Sequence, residues 1–238
     1  MSVREELLAM VQAKAHLAGR GPEQATKMPK SWVFNPLDPA SARHAAVLIL
    51  FGRLDDVPAA SGVKSVPDDL DVLFVTRADT LRKHAGQVAF PGGKVDPEDE
   101  DAIAAALREA REETGLDPAG VEILGVLPDA ELPITNFVVT PVIGWWQQTS
   151  EVFVVDVAES SAVFRAPVAD LLDPANRVSA VVERDGQRFC APAFDVAGGF
   201  IWGFTGILLD RIFNDLGWTL PWDAEREVSV AIGDRRAR

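Results

Sequence analysis

Three glutamates, Glu109, Glu112 and Glu113, stand at spacings i, i+3 and i+4 within the stretch 97–114. At ~100° per residue they share one face of a helix. Carboxylates on adjacent turns repel, and like charges at i, i+4 destabilise a helix by a few tenths of a kcal/mol. A hard divalent cation such as Mg²⁺ or Mn²⁺ offsets that repulsion, because it prefers carboxylate and phosphate oxygens as ligands. A solvated acidic face, helped by Arg108 and Arg111, is the ordinary alternative for any acidic helix taken alone. The surroundings must decide between the two.

The helix itself is well signposted. Asp96 is a good N-cap, Pro97 suits the first helical position, and Glu98, Asp99 and Glu100 favour the positive end of the dipole. Gly115 ends it as a C′ glycine. Ile103, Leu107, Ala110 and Thr114 form a stripe expected to face the core. Ala102, Ala105 and Ala106 lie below the acids and leave room beside the backbone.

Residues 93–116 read GKVDPEDEDAIAAALREAREETGL. This resembles the Nudix box, a Gly followed by an acidic residue and then R-E-aliphatic-x-E-E-x-G-aliphatic. Arg108, Glu109, Ala110, Glu112, Glu113, Gly115 and Leu116 match its second half at every position. The spacing from Gly93 to Arg108 is one residue longer than usual, so either Asp99 or Glu100 fills the early acidic position. The resemblance implies an α/β Nudix fold, an α-β-α sandwich around a mixed sheet with a loop-helix-loop catalytic motif. It also implies a Mg²⁺- or Mn²⁺-dependent hydrolase of nucleoside diphosphate derivatives. The expected metal ligands are Glu109 and Glu113, with Glu112 as ligand or base and Arg108 orienting a carboxylate by a bidentate pair.

Just upstream, residues 77–93 read RADTLRKHAGQVAFPGG. This is similar to a second motif found in the coenzyme A pyrophosphatase branch of that family, matched by Arg77, Ala78, Arg82, Gly86, Phe90, Pro91, Gly92 and Gly93. Val75 stands where that motif usually has Thr. The implied reaction splits coenzyme A or acyl-CoA into 3′,5′-ADP and 4′-phosphopantetheine or its acyl form. Arg77, Arg82, Lys83 and His84 make a basic cluster suited to a phosphate-rich substrate, the bland reading being a loop that balances nearby acids. Gly92 and Gly93 let backbone pass close to metal or phosphate. ADP-ribose or NADH as substrate, and a non-catalytic Nudix-fold binding module, are the alternatives.

Elements must position these groups. Residues 3–18 read as an amphipathic helix, and 19–42, with four prolines, as irregular. Strands are expected at 45–51, 71–77, 87–90, 121–127, 136–146, 151–157, 178–183 and 188–193, with a long exposed loop at 53–69. A last helix is expected at 199–216, and a short helix-like VADLLD segment precedes it. The expected domain plan is an N-terminal helix and irregular segment (1–40), a hydrolase domain (41–220) and a C-terminal tail (221–238). Glu159 and Glu131 are candidates for a further acid near the metal, ordinary surface glutamates being the alternative. Trp202 and Phe204 read as core or as substrate flanks, and Trp145-Trp146 as packing or a dimer contact, which leaves homodimerisation open.

Composition sets outer bounds. A net charge of −13 over 238 residues argues against general binding to nucleic-acid backbone and requires local cations or metal for an anionic substrate. Cys190 is the only cysteine, which excludes an internal disulfide and a thiolate-built zinc site, and it reads as a small buried hydrophobe. No apolar run approaches the ~20 residues of a membrane span, and the first ten residues lack a secretory layout. A soluble, cytoplasmic protein is the expectation.

Overall fold

The computed structural model describes residues 1–15, 37–38, 40–53, 58–80, 85–132, 135–184 and 186–231. The central strand β1 (Arg43–Gly52) carries apolar side chains on both faces and is the spine of the larger sheet. β1 runs parallel to β7 (Phe137–Trp146) along nearly its whole length, from Arg43 opposite Phe137 to Phe51 opposite Trp145. On its other side β1 is shared. Its last residues pair antiparallel with β2 (Asp71–Arg77), while Ala46 and Val47 pair with Gly93 and Gly92 of the short β4 (Gly92–Lys94). The pairing order is β3-β2-β1-β7-β5, where β3 is Val88–Ala89 and β5 is Val121–Val126. β4, β6 (Ala130–Leu132) and β8 (Ser160–Pro167) join β1, β7 and β2 respectively.

The alternation of β1 assigns its two faces to two cores. Ala46, Leu48 and Leu50 meet Ala105, Ala106 and Ala110 of α2 (Ala102–Thr114). Ile49 and Phe51 meet α1 (Val3–Lys14) through Leu7, Met10 and Val11, together with α3 (Val168–Leu172) and α4 (Gly203–Asp215). Helices therefore cover both faces of a mixed sheet, as expected. Full burial of a side chain such as Phe51 is worth about 1.5–3 kcal/mol.

A second sheet was not anticipated. β9 (Arg177–Arg184), β10 (Gln187–Val196), β11 (Gly199–Ile201) and β12 (Glu227–Ser229) form a four-stranded layer in the order β11-β10-β9-β12. It packs against α4, with Val182, Phe189 and Ala191 meeting Ile207. Residues 199–201 are thus a strand, and the last helix begins only at Gly203. The expected strand at 151–157 is irregular chain without ladder pairing, with a bend at 155 and a turn from 157; the partner edge on β2 is taken instead by β8, from Asp71 opposite Pro167 to Arg77 opposite Ser160. The expected exposed loop is also partly folded in, with Val66 buried in the core and residues 54–57 outside the described set. Cys190 is half-buried rather than buried. Among the described residues no helix is long and apolar enough to cross a membrane.

Candidate active site

α2 starts later than its acidic preamble suggests. Asp101, not Asp96, is the N-cap and accepts from the Ala104 N–H at 2.8 Å. Residues 96–100 instead form a turn, closed by the Asp99 N–H on the Asp96 carbonyl at 3.0 Å and by the Asp96 N–H on the Asp99 carboxylate at 2.8 Å. That turn gives Asp99 a different task. Its carboxylate accepts from Arg108 Nε at 2.9 Å and Nη2 at 2.8 Å, so of the two early acids Asp99 is the one that meets Arg108. This guanidinium holds the Asp99 carboxyl down at about 2.

Arg108 uses its remaining donors on the glutamates. Nη1 reaches Glu109 at 3.0 Å and Glu112 at 3.2 Å, and Nη2 also reaches the Lys94 carbonyl at 3.1 Å. Glu113 points elsewhere, accepting from the Gly92 N–H at 3.0 Å. Burial, and then the nearby charges of Glu109 and Glu159, push its carboxyl up to about 7, against the opposing effects of the Gly92 N–H and Arg77. Burial also pushes Glu109 up. Among the described residues no three Asp, Glu, His or Cys side chains converge, as they stand, on a point that could hold a metal ion. Two glutamates rest on Arg108 and the third on backbone.

The two glycines at the mouth of α2 have separate reasons. Gly92 has φ 155°, and a Cβ there would strike the Ala46 carbonyl, so this glycine permits β4 to lie against β1. A Cβ on Gly93 would occupy the place of the Glu109 carboxylate. The tight fit is therefore between β4 and its own strand neighbour and helix, not with a ligand alone. The buried side of α2 is likewise shifted: Ala105, Ala106, Ala110 and Thr114 are fully buried, whereas Ile103 and Leu107 pack at the margin. Small side chains bring the helix close to β1, which is what lets Glu109 and Glu113 reach β4. Gly115, at φ 70°, closes the helix with its N–H on the Arg111 carbonyl at 2.9 Å.

β2 delivers Arg77 to the same place. The strand bulges between Thr76 and Arg77, and the Arg77 Nε is buried with no hydrogen-bond partner while its charge acts on Glu113. Glu159 lies directly before β8, where its carbonyl accepts from the Ala78 N–H at 2.8 Å, and its side chain is exposed. Glu109, Glu113, Arg77 and Glu159 are thus one electrostatic neighbourhood. Glu131 lies on β6 rather than on a turn. Trp202 and Phe204 pack on the second sheet's core. Arg82, Lys83 and His84 lie outside the described residues.

Comparison with known proteins matches residues 57–184 to the NUDIX domain model. The chain belongs to the Nudix family. It is 40% identical over 152 residues to proteins named "Uncharacterized Nudix hydrolase NudL" from Salmonella paratyphi B and Salmonella newport, a match covering 61% of this chain and 75% of each relative. A solved Nudix hydrolase from Nitrosomonas europaea shares 13% identity at a TM-score of 0.43, over 80% of this chain and 79% of that one. The chain is a Nudix hydrolase, an enzyme acting on pyrophosphate bonds. Nudix hydrolases in general use divalent ions such as Mg²⁺ or Mn²⁺ and act on nucleoside diphosphate derivatives.

Proposed function

We propose that this Nudix hydrolase cleaves the diphosphate linkage of coenzyme A or acyl-CoA, releasing 3′,5′-ADP and 4′-phosphopantetheine or its acyl form. One observation carries the reading. Arg77 and Gly93, the two ends of the upstream motif, both border the box glutamates: Arg77 acts on Glu113, and Gly93 lies under Glu109. A motif that resembles the coenzyme A branch in sequence therefore joins the catalytic helix in space.

The donor set suits a hard divalent ion. Glu109, Glu112 and Glu113 offer only carboxylate oxygens; burial raises the proton affinity of Glu109 and Glu113, and the charge of Glu109 raises that of Glu113 further. Such a pair is stabilised by a cation as readily as by a proton. These three would hold Mg²⁺ or Mn²⁺, and Glu159, whose charge acts on Glu113, is the candidate for a fourth acid. The ion, when bound, supplies positive charge for the diphosphate oxygens and acidifies water.

The chain's own residues do the rest. Arg77, with a free buried Nε, is suited to a substrate phosphate oxygen. Arg108, anchored bidentate on Asp99, holds Glu109 and Glu112 in place. Glu112, with a side chain 59% exposed, is the acid best able to turn from Arg108 and serve as ligand or base. Arg82, Lys83, Gly92 and Gly93 complete the proposed substrate contacts, and a soluble, cytoplasmic enzyme remains our reading of the whole chain.

Initial rates on coenzyme A, ADP-ribose and NADH with Mn²⁺ present test the substrate. Coenzyme A is expected to give the highest kcat/KM. If ADP-ribose or NADH is preferred, the branch assignment fails while the diphosphatase assignment stands.

A further inference from the structure

A cavity of about 610 Å³ opens where the start of α1, the loop 64–70 and the end of β7 meet. Its size is within the range of small-molecule sites. It is remote from the catalytic helix. Trp145, in its wall, pairs with Phe51 on β1, whereas Gly92 pairs with Val47; four residues of strand separate them by about 13 Å. Trp145 and Leu70 also belong to the core facing α1 and α4, on the side of the sheet opposite α2.

The wall has two characters. Arg4, Arg53 and Lys64 stand on one part of it, in a chain whose net charge is −13. Arg4 is held by Glu122, and Arg53 pairs through its Nε with Asp69, at 3.0 Å, with a side chain that is 71% exposed. Lys64 is exposed and has no ion-pair partner among the described residues. The wall's other acid, Glu6, is already occupied by the Trp218 indole N–H at 2.8 Å. The rest of the wall mixes apolar and aromatic side chains, Trp145, Val66 and Leu70 among them, with Ser2 and Ser65.

An unpaired lysine and a largely exposed arginine beside an indole suit a ligand that carries an anion on a planar ring. We propose that this cavity is a second ligand site for a small aromatic anion with the chemistry of a nucleoside monophosphate. Its phosphate lies on Lys64 and Arg53, and its ring lies against Trp145. The proposal is independent of which diphosphate the catalytic face hydrolyses.

Calorimetric titration of the full chain with AMP in EDTA tests it. Saturable binding is expected, weakened at least tenfold by Lys64→Ala and by Trp145→Leu but unchanged by Arg77→Ala. Adenosine and inorganic phosphate should each bind at least tenfold more weakly than AMP. Absence of saturable binding overturns the proposal. So does phosphate binding as tightly as AMP, or AMP binding that Arg77→Ala weakens and Lys64→Ala leaves alone, which would put AMP at the catalytic face.

Discussion

Glu113 and Asp99 show how neighbours give chemically similar side chains opposite properties. Glu113 is buried beside two other acids and its carboxyl rises to about 7; Asp99 meets a guanidinium and falls to about 2. Replacing Glu113 with Gln keeps the Gly92 hydrogen bond but removes the charge, so turnover should drop by on the order of 10²–10⁴-fold with the circular dichroism unchanged. Persistent turnover would remove Glu113 from the mechanism. For Asp99 the depressed pKa sets the sign of a stability effect. Its ion pair contributes fully above the unfolded carboxyl's pKa near 3.9 and is lost as pH falls through about 2. Asp99→Asn should therefore lower the denaturation midpoint by a constant amount from pH 8 to about 5, with the deficit shrinking toward pH 2. A deficit that is the same at pH 2 and pH 7 would contradict the pairing. The same variant should lose about 10–100-fold in activity, because Arg108 would no longer be held for Glu109 and Glu112.

At the scale of elements, the site is a contact between α2 and β4 made possible by missing side chains. Ala105, Ala106 and Ala110 let the helix sit close to β1, and Gly93 leaves the space that the Glu109 carboxylate fills. Gly93→Ala should push the helix off the strand, costing about 1–3 kcal/mol by overpacking and a larger share of activity than of stability. Thermal denaturation and kcat/KM measured on one preparation separate the two; full activity would show that Glu109 can move without consequence. Helix, glycines and most strands were legible in sequence because their signals are local. The start of α2 was not: Asp96 and Asp101 both have capping side chains, and only the turn that gives Asp99 to Arg108 selects the later one. Residues 151–157 form a strand-like apolar run, but strand pairing needs a free edge, and β8 holds the one on β2. There the Phe153 N–H bonds the Thr114 carbonyl at 2.9 Å instead.

Over the whole molecule, the second sheet is tied to α4 by a buried cation. Arg177 of β9 is fully buried, pairs with Asp210 of α4, and lies over the rings of Phe194 and Trp222 at 4.5 and 4.7 Å. Its Nε and Nη1 have no hydrogen-bond partner. Removing the counter-charge strands a buried guanidinium, so Asp210→Ala should destabilise by about 3–5 kcal/mol, whereas Arg177→Met should cost less than that. Urea denaturation of the two variants checks the order; an equal or reversed cost would mean that the pair does not carry the junction.

The residues 93–116 by themselves determined the family, the helix and the three acids, because helical periodicity and a fixed motif are properties of neighbouring positions. The basic stretch from Arg77 to Gly93 suggested a substrate without showing where its residues would lie. Only the tertiary structure decided that β1 divides its edge between β2 and β4, and so brings Arg77, Gly93 and Glu159 to the face that carries Glu109 and Glu113. It also decided what each acid is bound to: Glu109 and Glu112 on Arg108, and Glu113 on the Gly92 amide. Those assignments depend on burial and on contacts between distant segments, which no local pattern in the chain records.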